Sequence, residues 1–152
     1  MKLNTRHINL FILVALVLGG CGSAPQFSDV TGKEWRLIEV RTQPHNIVLD
    51  RTTLRAEGFG DIFTLRLDAE RMSGVGAPNR YTAPFTLAEN QAIRVQPVAG
   101  TLMAAFHEPE KLNEREFFVY VQNAYRWNLA NGRFELYTRG DDGTEATLVF
   151  GL

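Results

Sequence analysis

Apolar residues recur at every second position through most of this chain, and that period restricts its fold more than any other feature. Successive side chains of an extended backbone point to opposite faces, so a period of two buries one face of a strand and leaves the other in water. Phe63, Leu65 and Leu67 share a face opposite Ile62, Thr64 and Arg66; Tyr81, Ala83, Phe85 and Leu87 repeat the arrangement, as do Ile93 and Val95. Further on, Tyr125, Trp127 and Leu129 alternate, then Phe134 with Leu136, then Ala146, Leu148 and Phe150. Each run reads as a half-buried antiparallel strand. Asn131-Gly132 separates two of them, and Asn and Gly best tolerate the positive φ that both central residues of a type I′ hairpin require. Asp141-Asp142-Gly143 marks a looser turn, and Glu89-Asn90 a bend between the strands centred on Phe85 and Ile93.

One segment departs from this period. Pro109 stands at an expected first helical position, Glu108 and Glu110 sit near the positive end of the helix dipole, and Phe117, Val121 and Ala124 recur at helical spacing with Phe118 beside them. A helix near residues 109–123 among about eight strands gives a mainly β, α+β fold in which the helix caps or plugs a curled sheet. Residues 43–54, interrupted by Pro44, His45 and Asn46, read as a loop entering a strand near Thr53.

The N-terminus carries an address. Lys2 and Arg6 precede an apolar run from Ile8 to Leu18, which has the parts of a secretory signal and is shorter than the ~20 apolar residues that span a bilayer. Leu18-Gly19-Gly20-Cys21 resembles a lipobox, the site at which bacteria attach diacylglyceride to a cysteine sulfur. Cys21 is the only cysteine, so it has no internal partner, and acylation gives it a role. The expected organisation is a lipoprotein signal peptide at 1–20, a lipidated flexible tether at 21–30 and a domain at 31–152. The expected partner is a membrane, reached through the lipid on Cys21, at the cell envelope. Gly22 in place of Asp directs the protein to the periplasmic face of the outer membrane if the host is Gram-negative.

Losing Lys2 and Arg6 turns 16 basic against 17 acidic residues into a net charge of −3 for the mature chain. Nucleic-acid binding leaves a basic footprint, so none is expected. Catalytic sets are equally hard to find. With the thiol committed to lipid, the mature chain keeps two histidines, His45 and His107, and no Gly-x-Ser-x-Gly elbow surrounds any serine. Glu108 and Glu110 beside His107 have a sufficient capping role and are not read as metal ligands. Gly74-Val75-Gly76 lacks the βαβ context of a phosphate loop and reads as a turn, and Asp141-Asp142 reads as solvated. No enzyme activity, cofactor or metal is expected.

Several segments, in order, resemble the META domain family of HslJ-like proteins: Trp35-Arg36-Leu37; Ser73 with Gly74-Val75-Gly76-Ala77-Pro78-Asn79-Arg80-Tyr81; Thr101-Leu102-Met103-Ala104-Ala105; then Glu114 through Phe118, Trp127, Gly132 and Leu136. Where the family often has cysteines, this chain has Ala77 or Pro78 and Ala105. The resemblance implies a curled antiparallel sheet or partly open β-barrel with one helix. It also implies a non-enzymatic, stress-related accessory factor that meets an unknown envelope protein. Alternatives are a carrier of a small apolar ligand, with Phe63, Phe85, Tyr125, Trp127 and Phe134 facing a cavity, or an inhibitor of an envelope-directed enzyme such as lysozyme. Both hallmark segments fall in connections, so Asn79, Arg80, Tyr81, Thr101 and His107 are expected to share one interaction surface. Asn79 is expected to satisfy backbone groups of its own turn, and Met103 to pack beneath the helix.

Overall fold

In a computed structural model, described for residues 24–105 and 107–152, the expected alternation becomes a strongly curled antiparallel sheet. A 3₁₀ turn (Phe27–Asp29) leads into β1 (Glu34–Thr42), β2 (Ile47–Val48), α1 (Arg51–Ala56), β3 (Thr64–Leu67), β4 (Arg71–Val75), β5 (Arg80–Leu87), β6 (Ile93–Val95) and β7 (Ala99–Gly100). Helix α2 (Glu114–Gln122) follows, then β8 (Arg126–Ala130), β9 (Arg133–Arg139) and β10 (Glu145–Gly151). The main path runs β6-β5-β4-β3-β1-β10-β9-β8, with β2 beside β1 and β7 beside β5. Its two edges meet: Ile93 N–H donates to Tyr125 O at 3.1 Å and Trp127 N–H to Gln91 O at 2.9 Å. The eight strands thus form a nearly closed barrel, which removes most of the unpaired edge.

The interior is filled by rings. Trp35 lies 5.6 Å from Phe134, Phe134 lies 6.0 Å from Phe150, and Phe63 lies 5.0 Å from Phe117 on α2. Asn131 (φ 53°) and Gly132 (φ 71°) make the two-residue turn between Ala130 and Arg133, as the sequence requires.

Four expectations change. The helix begins at Glu114, because the Asn113 side chain caps it by accepting Glu116 N–H at 2.8 Å; Pro109 lies outside it. Thr53 stands in α1, capped by Asp50, which accepts from Thr52 N–H at 2.9 Å, so residues 43–54 hold a short strand and a helix turn. Ser73, Gly74 and Val75 belong to β4. There glycine serves close approach: a Cβ on Gly74 would meet Thr64 O at 2.0 Å. Finally, Val30 is fully buried and Phe27 packs on Phe85 and Trp127, so the packed domain starts ahead of residue 31. The expected signal peptide at 1–20 and the Cys21 anchor lie outside the described residues.

Candidate functional site

The two hallmark segments meet around one carboxylate. Residues 76–79 connect β4 to β5, with Gly76 N–H donating to Asn79 O at 2.6 Å. Pro78 has no N–H, which leaves Ala77 and Asn79 to present theirs. Both donate to Oε1 of Glu114 at 2.6 Å, and Asn79 Nδ2 donates to Oε2 of the same residue at 2.6 Å. Glu114 is the first residue of α2, where a negative side chain also complements the helix dipole. Glycine at 76 makes this approach feasible, since a Cβ there would lie 2.6 Å from Glu114 Oε1 and 2.8 Å from the Phe118 ring.

Asn79 then reaches the second segment. Its Oδ1 accepts from Thr101 Oγ1 at 2.8 Å and from Met103 N–H at 2.7 Å, and its Nδ2 also donates to Met103 O at 3.2 Å. Both donors and both acceptor sites of this buried carboxamide are occupied. Arg80 N–H donates to Thr101 Oγ1 at 3.2 Å, and Thr101 N–H to Arg80 O at 3.0 Å, which ties β5 to the chain leaving β7.

Asn79, Arg80 and Thr101 are therefore neighbours, with Arg80 and Thr101 exposed and Asn79 buried. Tyr81 points inward: its hydroxyl donates to Thr64 O at 2.9 Å, its ring packs on Phe117 and Phe118, and burial pushes its phenol pKa upward. It takes no part in a surface. His107 stacks on Phe59, which follows α1, at 5.3 Å and is none of the hydrogen-bond partners of Asn79. Within its own turn Asn79 serves through its backbone carbonyl, which accepts from Gly76, while the amides of Ala77 and Asn79 fall to Glu114 and the Asn79 side chain holds Met103 instead.

Met103 reverses the expectation that it packs beneath the helix. Asn79 grips its backbone at both N–H and C=O, while its side chain is 56% exposed and that of neighbouring Leu102 fully so. Ala104 and Ala105 are exposed as well. A groove of about 390 Å³ runs beside them, between α2 and residues 98–102, with Phe118, Gln122, Val98 and Leu102 among its walls. The sequence marked the segment but not the outward turn, because an apolar pair reads as core until a backbone clamp is seen. Among the described residues no three His, Cys, Asp or Glu side chains are grouped to hold a metal.

A curled antiparallel barrel closed by one helix, with these two segments locked together beneath its N-terminus, defines a class of small β domains. The META domain model matches residues 28–149, and the chain belongs to that family. A protein from Burkholderia xenovorans, solved by NMR, shares the fold at a TM-score of 0.58 and 17% identity, with 97% of each chain covered. A search of curated proteins gave no significant match.

Proposed function

We propose that this chain is a lipoprotein of the cell envelope, anchored through Cys21, that acts by binding another protein and not by turnover. The contact lies at Leu102 and Met103 and the groove beside them. The observation that carries this reading is the clamp: Asn79 holds the Met103 backbone rigid while Leu102 and Met103 face solvent. Scattered exposed apolar residues are ordinary, but a run from Leu102 to Ala105 held by two hydrogen bonds is a pre-ordered apolar surface. Pre-ordering lowers the entropic cost of association.

Ring packing through Trp35, Phe134 and Phe150 supports the reading over an apolar-ligand carrier. Tyr125, expected to face such a cavity, is 38% exposed and bonded to Glu145. A stress-related role is an extension from the family resemblance.

A photocrosslinking residue placed at position 102 of the full chain, in its own host, should give one discrete protein adduct that Met103→Asp removes. Adducts with lipid alone, or none, would defeat the proposal. The anchor is tested separately: Cys21→Ser should move the protein from the membrane fraction to the soluble one without changing its unfolding midpoint.

A further inference from the structure

Closure of the barrel leaves one stretch of edge unpaired. Strand β5 meets β6 and then β7 along one side; the chain at β6 goes on to meet β8, whereas β7 pairs with β5 alone. Main-chain groups alternate in direction along a strand. Thr101 N–H turns to Arg80 O at 3.0 Å and Met103 N–H to Asn79, so the amides of Val98, Gly100 and Leu102 point away from β5. The Gln122 carboxamide on α2 accepts Val98 N–H at 3.2 Å. Gly100 is exposed, and among the described residues nothing hydrogen-bonds its N–H or its C=O.

This edge opens on the groove of about 390 Å³ between α2 and residues 98–102. Gly100 lies opposite the buried Tyr81, and a Cβ on it would meet the Phe118 ring at 3.5 Å, an ordinary contact. An antiparallel strand laid against β7 would bond both main-chain groups of Gly100 through the residue opposite it. The side chain of that residue would stand over Phe118, in the room that glycine leaves. On the outer face of the sheet Ala99 and Thr101 are short, and beyond Thr101 stands the exposed Arg80, which pairs with no carboxylate among the described residues.

Each feature asks something definite of an occupant. The unpaired N–H and C=O call for an extended backbone with its own groups free, which a helix does not offer. The space over Phe118 calls for a large apolar side chain, and the unpaired Arg80 for an acidic one at the next position, on the other face. The edge is also continuous with the apolar run from Leu102 to Ala105. We propose that the partner docks by strand addition: an extended segment of it pairs antiparallel with Gly100 and Leu102, one apolar side chain over Phe118 and an acidic neighbour toward Arg80. This rests on the reading that a protein meets Leu102 and Met103, and adds how that protein is held.

The full chain, labelled with ¹⁵N, is titrated with the peptide acetyl-Ser-Val-Glu-Phe-Glu-Ser-amide. Saturable shifts should map to residues 98–102 and to α2. The same peptide methylated on the phenylalanine nitrogen loses one main-chain donor without any change in the protein, and should bind roughly tenfold more weakly. Lysine in place of both glutamates should also weaken binding. Gly100→Val fills the space over Phe118 and should abolish it. No saturable response, shifts mapping elsewhere, or equal binding of the methylated peptide would overturn strand addition; equal binding of the lysine peptide would overturn the acidic neighbour. In the host, the adduct at position 102 should disappear in Gly100→Val. An adduct that survives there would overturn strand addition and leave the protein contact standing, whereas peptide binding without any adduct would overturn the contact and leave the edge.

Discussion

Two carboxylates in this molecule each accept three hydrogen bonds, and the difference between their donors separates a structural knot from an adjustable surface. Glu114 accepts from two backbone amides and one carboxamide, all at 2.6 Å. Glu135 accepts only from side chains: Arg41 at 2.9 Å, the Tyr137 hydroxyl at 3.0 Å and Asn128 Nδ2 at 3.4 Å. Backbone amides at Ala77 and Asn79, both buried, have no second partner to turn to. The donors around Glu135 can rotate into water. Equal numbers of bonds therefore carry unequal weight, because what matters is the cost of leaving each donor unmade.

The largest effect should come from breaking the knot. Glu114→Ala strands two buried amides and one end of Asn79, and should cost about 3–5 kcal/mol in a urea titration with an unchanged slope. A loss below about 1 kcal/mol would show that water replaces the carboxylate and that the knot is not the rigid element described here. Gly76→Ala places a methyl 2.6 Å from the same oxygen and 2.8 Å from the Phe118 ring, and should cost about 2–3 kcal/mol. Since removal of Glu114 also removes part of that collision, the double variant should lose less than the sum of the two.

On the outer face the same operation should be mild. Glu135→Ala frees Arg41, Tyr137 and Asn128 to be solvated, and the expected loss is about 1 kcal/mol, measured by the same titration. A cost equal to that of Glu114→Ala would erase the distinction between the two networks.

The contrast also tracks what periodicity can report. Alternation locates strands and their inward faces, because burial imposes it residue by residue: Phe63, Leu65 and Leu67 are fully buried, and Asn131-Gly132 turns where both residues needed positive φ. It says nothing about polar side chains that meet across long stretches of chain. Asn79 and Glu114 are 35 residues apart and Arg41 and Glu135 are 94 apart, so the resemblance drew the hallmark segments together but could not show Glu114 as their centre. Helix α1, six residues long, is too short to show a period, and Asp50, which caps it, fell within the segment read as a loop. Alternation failed at Tyr125 because it precedes β8, where the ring turns outward to Glu145 and Arg139. Met103 failed for a different reason: a backbone clamp, not burial, decides where its side chain goes.

The smallest effect is a titration that sorts the tyrosines by region. Beside the knot, burial drives the Tyr81 phenol well upward and, with the Glu116 carboxylate beneath it, pushes Tyr120 up to about 12 from 10.0. A phenol with a raised folded-state pKa contributes stability in full below its ordinary value, and that stability is lost as pH climbs through the folded value. The wild-type unfolding midpoint should therefore hold up to about pH 10 and fall toward pH 12. Tyr120→Phe gives up only the 3.1 Å hydroxyl bond to Glu116 and should cost less than about 1 kcal/mol at neutral pH. Its alkaline decline should be shallower than wild type, because one of the two phenols raised chiefly by burial is gone. Tyr125, on the outer face, is raised mainly by its bond to Glu145, an exposed contact that water can replace. Tyr125→Phe should leave the decline between pH 10 and 12 nearly parallel to wild type. If Tyr125→Phe flattens that limb as much as Tyr120→Phe does, the outer network is as closed to water as the knot and the proposed asymmetry fails.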